Sequence, residues 1–179
     1  MTFLDLVKRR RSVRKYSAKP VPREVITRCI EAARLAPSAC NSQPWHFIVV
    51  DDQELRKRVA QAAFSGAYSM NSFAGDAPVL VVTVRDKSGY FATLGEFFRG
   101  VQYNLIDIGI ACEHFVLQAE EDGVGTCWLG WFNEKAVKKI LGIPKDKKAD
   151  IIISMGYPED GEPRDKIRKP TEEISSFNA

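Results

Sequence analysis

Apolar residues along this chain follow two patterns, short unbroken runs typical of buried strands and a three-to-four spacing typical of helices. Three apolar runs, at residues 46–50, 79–84 and 150–155, predict strands that are buried on both faces of a sheet. The run at 79–84 is the strongest, and we expect it at the centre of the sheet. Residues 126–129 predict a shorter strand.

Helical spacing occupies most of the remaining chain. Thr2 begins one of these segments and Asn133 precedes another, and both are good N-cap residues, while Gly123 stands where a glycine often ends a helix. Five helices are predicted, over residues 2–10, 22–36, 53–64, 94–121 and 134–141.

The longest helical pattern, residues 94–121, is apolar over a wide arc. One seam consists of Val101, Leu105, Ile108, Cys112, Phe115 and Ala119, and a second seam beside it consists of Ile106, Ile110 and Leu117. A strictly surface helix would show a single stripe. We therefore expect this helix to be the spine of the domain and also to pack on a partner subunit.

Two loops are rich in polar or small residues. Residues 37–45 are bracketed by prolines and carry hydroxyl and amide groups, so that neither helix nor strand is favoured. Such a loop can bind a planar polar ligand, or it can simply cap the preceding helix. Residues 65–75 have the composition of a mobile lid or of a surface loop.

Four to five strands interleaved with helices predict an α+β or mixed α/β fold.

Length and composition exclude several classes of protein for this chain. A chain of 179 residues, 45% hydrophobic and 27% charged, fits a single globular domain over residues 1–179. The net charge of +3 is too small to imply nucleic acid, and the longest apolar run, 77–84, is too short to cross a membrane. No secretory signal is visible, so we expect the cytoplasm. Four unpaired cysteines and two distant histidines predict neither disulfides nor a metal site.

Charged residues of one sign are most concentrated at residues 9–15, where five cationic side chains flank Ser12 in the sequence. Arginine forks next to a hydroxyl suit a phosphate group, although a solvated basic turn has the same composition. A second basic stretch occupies residues 166–170. The glycines at 123–125 follow a helix and precede a strand, the reverse of the dinucleotide fingerprint, and we find no nucleophile motif.

Taken together, the motifs resemble the nitroreductase family of FMN-dependent NAD(P)H oxidoreductases. The matching segments are residues 10–14 after the opening helix, 37–45 before the first strand, 123–130 after the long helix, and the basic tail at 166–170. They cover nearly the whole chain in the family's order. The resemblance implies an α+β homodimer with FMN at the interface, a mostly antiparallel or mixed central sheet of four to five strands, and an extended C-terminal tail.

The resemblance also implies roles for individual residues. The phosphate and ribityl chain of FMN would be held by Arg10, Arg11, Ser12, Lys166 and Arg168. Arg14 would lie toward the N1–C2=O end of the flavin, where a cation stabilises the reduced ring. Residues Pro37, Ser38, Asn41 and Gln43 would reach the ring from the other subunit. Leu129 and Gly130 would offer backbone N–H groups to N5 and O4, and Asn71 is a candidate for the pyrimidine edge.

In such an enzyme the flavin N5 accepts a hydride from NAD(P)H and passes electrons to a nitroaromatic, quinone or similar planar acceptor, a ping-pong scheme that needs no catalytic side chain. Residues 65–75 together with 90–98 would form the substrate lid. One alternative is a flavin-binding module without turnover, a sensor or store. Another is a nucleic-acid-binding protein that uses the arginine cluster, which the modest net charge disfavours. We expect neither nucleic acid nor membrane as a partner.

Overall fold

The computed structural model describes residues 1–86, 100–159 and 166–178. In these ranges the chain forms six α-helices, four strands and two 3₁₀ segments. The helices are α1 (Phe3–Arg9), α2 (Arg23–Arg34), α3 (Gln53–Ala63), α4 (Tyr103–Glu121), α5 (Glu134–Leu141) and α6 (Thr171–Ile174), and the 3₁₀ segments are Ala39–Asn41 and Gly66–Asp76. The strands are β1 (Trp45–Val50), β2 (Val79–Arg85), β3 (Gly125–Leu129) and β4 (Lys148–Gly156).

The four strands form one sheet in the order β1-β2-β4-β3, and every neighbouring pair is antiparallel. The α+β fold is therefore confirmed, and β2 is central as predicted, with all its residues except Arg85 buried. The prediction that residues 46–50 are buried on both faces was wrong, since only Val50 is fully buried. The reason is position, because β1 lies at the edge of the sheet and is paired on one side only.

Helices cover both faces of the sheet and enclose two apolar cores. Helices α2 and α4 pack on one face, where Phe115 is completely buried and stacks on Phe47 with 5.9 Å between ring centroids. Helices α3 and α5 cover the opposite face, together with Phe64 and Phe132. Alternate residues of the central strands point into one core or the other, and this is why their apolar runs are continuous.

The caps read from the sequence are present. Thr2 accepts a hydrogen bond from the backbone N–H of Asp5, and Asn133 accepts one from Ala136. Gly123 adopts a left-handed conformation with a φ of 74° just after α4. Among the helices of the described ranges, none combines the length and hydropathy that a bilayer crossing requires.

Helix α4 begins later than its pattern predicts. It starts at Tyr103, after Gly100 with a φ of 64°, so that residues 100–102 are not helical, while residues 94–99 lie outside the described ranges. Four members of the first seam are buried, from Ile108 to Ala119, but Leu105 is exposed. In the second seam, Ile106 is 51% exposed, whereas Ile110 and Leu117 are partly buried and Ile110 packs against the core.

Candidate functional site

The arginine segment leaves α1 and runs alongside β3. Arg10 caps the helix with an extended backbone, and Ser12 then pairs with Thr126 in a parallel bridge, with 2.9 Å between Val13 N and Thr126 O. Tyr16 anchors the far end, because its buried hydroxyl lies 2.7 Å from the carbonyl of Val13 and 2.8 Å from Ser154 Oγ. Burial raises the pKa of this phenol well above its ordinary value. The segment is therefore held as an extra strand-like edge beside β3.

The C-terminal tail returns to the same place. Lys166 Nζ donates a hydrogen bond of 2.6 Å to the carbonyl of Val7 in α1. Burial lowers the pKa of the Lys166 ammonium, and the nearby cations of Arg10 and Arg168 lower it further. Arg10 and Arg168, from the two ends of the chain, thus both lie close enough to Lys166 to repel its charge.

Arg10, Ser12 and Arg14 also surround the thiol of Cys127 in β3. Burial raises the pKa of this thiol, and Arg14, the Ser12 hydroxyl and Arg10 oppose that rise in part. We call the group Arg10, Arg11, Ser12, Arg14, Lys166 and Arg168 the basic corner. Arg10 is largely buried there, 21% exposed, and forms an ion pair of 3.5 Å with Glu113 of α4.

The end of β3 lies next to the basic corner. Leu129 is buried and Gly130 is exposed, and within the described ranges no atom beyond the neighbouring residues lies within 4 Å of the position that a Cβ would take at Gly130. On one side β3 pairs with β4, and on the other side the Ser12–Val13 segment pairs with it only at Thr126. Beyond Thr126, no other segment of the described ranges hydrogen-bonds to that edge through its backbone. Backbone donors near Gly130 are therefore open to a planar ligand.

The 3₁₀ segment Gly66–Asp76, which we call the strap, replaces the irregular loop that the sequence predicted. It is tied to the residue after Gly130, because Asn71 Nδ2 donates to the Trp131 carbonyl at 2.9 Å and Trp131 Nε1 donates to the Ala67 carbonyl at 3.1 Å. The ring centroid of Phe73, in the strap, lies 5.9 Å from the Arg14 guanidinium carbon. The strap thus closes one side of the site, while the other expected lid segment, 90–98, lies outside the described residues.

The polar loop 37–43 has a strained backbone. Cys40, Asn41 and Gln43 all have a positive φ, between 45° and 52°, a backbone conformation that residues other than glycine rarely adopt. Within the loop, the Gln43 N–H donates to the Ser38 hydroxyl and the Gln43 amide donates to Asn41 Oδ1. Pro37, Asn41 and Gln43 are exposed. The loop therefore presents amide groups outward on a fixed frame.

Asp107 of α4 holds this loop, and sequence reasoning missed that role. Its buried carboxylate accepts a hydrogen bond from Ala39 N at 3.0 Å and a longer one from the Ser42 hydroxyl at 3.4 Å. The available signal was a carboxylate on the apolar side of a long helix. Asp107 lies six residues before Glu113, the partner of Arg10, or roughly 9 Å along α4 and about 120° around it. Within one protomer, the loop and the basic corner thus contact different faces of α4.

We expect Asp107→Ala to destabilise the protein by about 1–2 kcal/mol, because the substitution leaves the Ala39 N–H without its acceptor and frees the strained loop. Denaturant unfolding of the two proteins at matched conditions would measure this. Asp107→Asn keeps one acceptor oxygen and should recover part of the loss. An unchanged midpoint for the alanine variant would show that the loop keeps its conformation without the carboxylate.

The cysteines are poor candidates for chemistry. Burial raises the pKa of the Cys29 thiol to about 12 and that of Cys112 to about 11, so both are protonated at neutral pH. All four cysteines are free thiols, and only Cys40 is exposed. In the described part of the chain, no three metal-ligating side chains come together.

Comparison with known proteins places these features in a family. The sequence model of the Nitroreductase family matches residues 7–69 and 65–157. A protein of Archaeoglobus fulgidus, provisionally named NADH dehydrogenase/NAD(P)H nitroreductase, is 36% identical over 161 residues, which cover 88% of this chain and 86% of the relative.

Two solved structures of similar length share the fold. A nitroreductase family protein from Clostridium difficile 630 superposes with a TM-score of 0.80 at 28% identity, covering 100% of this chain and 99% of that chain. An FMN-dependent nitroreductase from Clostridium difficile R20291 has a TM-score of 0.76 at 28% identity, covering 99% of each chain.

Proposed function

This chain belongs to the nitroreductase family, and we propose that it is an FMN-dependent oxidoreductase that passes electrons from NAD(P)H to nitroaromatic, quinone or similar planar acceptors. The names of the similar proteins support a flavin and a nicotinamide reductant. The observation that carries the proposal is the basic corner, where cations from both ends of the chain gather beside Ser12 and the open edge of β3.

The residues of the basic corner fit a phosphate monoester. Arg10 and Arg168 both repel the Lys166 ammonium, so a dianion bound among the three cations would relieve this repulsion as well as accept their hydrogen bonds. Ser12 and Arg11 belong to the same segment and would contribute a hydroxyl and a further cation. We therefore assign the phosphate and ribityl end of FMN to Arg10, Arg11, Ser12, Lys166 and Arg168.

The opposite end of the site suits a flavin ring. Bound FMN would supply the two-electron chemistry that no side chain of this site provides. Arg14, held against Phe73, would place its charge near the pyrimidine edge of the ring. Backbone N–H groups at Leu129 and Gly130 would donate to the ring where β3 ends, and the missing Cβ at Gly130 permits a close approach.

We further propose that the site is completed in a homodimer. Within one protomer the 37–43 loop is anchored on Asp107, on a different face of α4 from the basic corner, so Pro37, Ser38, Asn41 and Gln43 would reach the flavin of the partner subunit. Leu105 of the first α4 seam and Ile106 of the second are exposed, which supports an interface at this helix. The four free thiols agree with a reducing compartment such as the cytoplasm.

The direct experiment is a visible absorption spectrum of the purified protein, followed by analysis of the supernatant after heat denaturation. A flavin spectrum that bleaches on addition of NAD(P)H without oxygen, and returns with a quinone or nitroaromatic compound, is the expected result. A flavin that NAD(P)H does not reduce would favour the store or sensor. A protein that neither contains nor takes up FMN would refute the assignment of the basic corner.

The lowered pKa of Lys166 predicts how FMN binding depends on pH. In the FMN-free protein, the charged form of Lys166 lowers the free energy of unfolding at pH values below this pKa. The loss disappears as the pH rises toward 10.5, the ordinary lysine value, because Lys166 then gives up its proton. A bound phosphate dianion reverses the electrostatic effect and raises the pKa. FMN binding should therefore take up a proton in the alkaline range, and affinity should fall as the pH rises through the Lys166 pKa.

Calorimetric titration of FMN in buffers of different ionisation enthalpy would measure this proton uptake. Lys166→Gln should abolish it, whereas Lys8→Gln, which removes a lysine from the exposed side of α1, should leave it in place. Equal proton uptake by the wild type and Lys166→Gln would assign the effect to another group.

A further inference from the structure

A second cationic site lies beside the basic corner, in an open cavity between the Arg14–Ala18 segment, α3 and the strap. Its volume is about 730 Å³, within the range of small-molecule sites. The cavity is lined by Arg14, Lys15, Tyr16, Ala18, Arg56, Lys57, Gly75, Asp76 and Glu159. Apart from Arg14, none of these residues has a role in the flavin site proposed above.

The charge of this cavity is positive and is arranged in two pairs. Arg14 and Lys15 are consecutive on the N-terminal segment, and Arg56 and Lys57 are consecutive on α3. The lining carboxylates of Asp76 and Glu159 oppose these four cations, and Glu54 pairs with Lys57 at 3.0 Å from outside the lining, which leaves one positive charge in excess. A cavity of this charge would attract an anion that carries phosphate groups.

Arg56 is fixed in place before any ligand binds. Its Nη1 donates hydrogen bonds of 2.7 Å to the carbonyls of both Gly75 and Ala77. Within the described part of the chain these two bonds use Nη1 alone, so Nε and Nη2 are available as donors. A guanidinium whose orientation is already set loses little entropy when it binds a phosphate.

The position of the cavity suggests which anion it binds. Arg14 lines the cavity and also, in the proposed function, the pyrimidine edge of the flavin. Because Arg14 is shared with the flavin site and Arg56 and Lys57 lie on a separate element, α3, a ligand that extends from the ring into this cavity could contact both cation pairs. NADPH carries two separated phosphate groups, a pyrophosphate near the nicotinamide and a 2′-phosphate on the adenosine, whereas NADH carries only the first.

We propose that this cavity binds the phosphates of NADPH, with the 2′-phosphate at Arg56 and Lys57, and that the protein prefers NADPH to NADH. The pyrophosphate lies at Arg14 and Lys15, and the two carboxylates accept hydrogen bonds from ribose hydroxyls. This inference rests on the proposed function, since it requires a flavin that a nicotinamide nucleotide reduces.

The test compares kcat/KM for NADPH and NADH in the FMN-loaded wild type and in Lys57→Gln. We expect the wild type to prefer NADPH and the variant to lose about threefold to fivefold of that preference, mainly through KM, because the Lys57 ammonium is exposed and also pairs with Glu54 at 3.0 Å. Arg58→Gln removes the next cation on α3, which does not line the cavity, and should retain the wild-type ratio.

A binding measurement distinguishes recognition of the 2′-phosphate from recognition of the 5′-phosphate or of inorganic phosphate. In calorimetric titrations of the FMN-loaded protein, 2′,5′-ADP should bind more tightly than 5′-AMP, and Lys57→Gln should reduce this difference. Equal rates with the two nucleotides, or 2′,5′-ADP no better than 5′-AMP or inorganic phosphate, would overturn the inference and leave the proposed function intact. A protein that takes up no FMN, or oxidises neither nucleotide, would refute both.

Discussion

Arg10→Ala weakens FMN binding by about 10- to 100-fold, the largest single effect that we expect at the basic corner. The estimate corresponds to the loss of one hydrogen bond between charged groups, roughly 1.5–3 kcal/mol. Arg10 should matter most because it is largely buried, is held by Glu113, and lies close to Lys166. Flavin fluorescence quenching on titration of the FMN-free protein would measure the change in dissociation constant.

Arg9→Ala is the matched control. Arg9 precedes Arg10, carries the same charge and also forms an ion pair with α4, at 3.4 Å from Glu120, but its side chain is 53% exposed. We expect at most a small loss of affinity, which should shrink further at high salt because exposed charges are screened. If the two variants lose the same affinity, net charge rather than a built phosphate site explains the binding, and the roles of Lys166 and Arg168 fall with that of Arg10.

Local features of the fold were predictable because neighbouring residues determine them. The caps at Thr2 and Asn133 and the continuous apolar runs of the central strands depend on a few adjacent side chains, and the structure has them where the sequence predicts them. The partial exposure of β1 was not predictable from its composition, because an apolar run does not say whether a strand has one neighbour or two.

The candidate site also has features that could be predicted from the sequence and features that could not. Its motifs could be read from the sequence, since clustered cations and an amide-rich loop are compositional signals. The residues that position the motifs could not, because they act across long sequence separations. Asp107 holds a loop that lies more than sixty residues earlier in the chain, and the strap is joined to Trp131 through Asn71. Both are single polar residues whose partners only the fold reveals.

Two glycines that the motifs do not explain make room for the arginine segment. Gly125 and Gly156 are directly opposite each other in β3 and β4. A Cβ at Gly125 would lie 2.9 Å from Val13 Cβ and still closer to its Cγ2, and one at Gly156 would lie 2.9 Å from Tyr16 Cδ1 and 2.8 Å from Pro78 Cγ. The segment that carries the basic corner can therefore lie against the sheet only because both positions lack a side chain.

Gly125→Ala should consequently affect stability and flavin binding together. Overpacking at a site this tight costs about 1–3 kcal/mol, and the least costly relaxation moves Val13 away from β3, taking Ser12 and Arg14 with it. We expect a lower unfolding midpoint and an FMN affinity reduced by at least about tenfold, because Ser12 would lose its charge-assisted hydrogen bond to the phosphate and Arg14 its position at the ring. Thermal unfolding of the FMN-free protein and FMN titration of the folded protein separate the two effects.

Gly75→Ala provides the comparison, since a Cβ there would make only an ordinary contact of 3.6 Å with Ala60 Cβ. It should keep both the unfolding midpoint and the FMN affinity close to those of the wild type. A Gly125→Ala protein that is destabilised yet binds FMN normally would show that β3 moves and the arginine segment keeps its position. The packing of Val13 would then not control the basic corner. Loss of both properties would show that the cofactor site depends on the absence of a single methyl group, 115 positions from Arg10 in the chain and adjacent to Val13 in the fold.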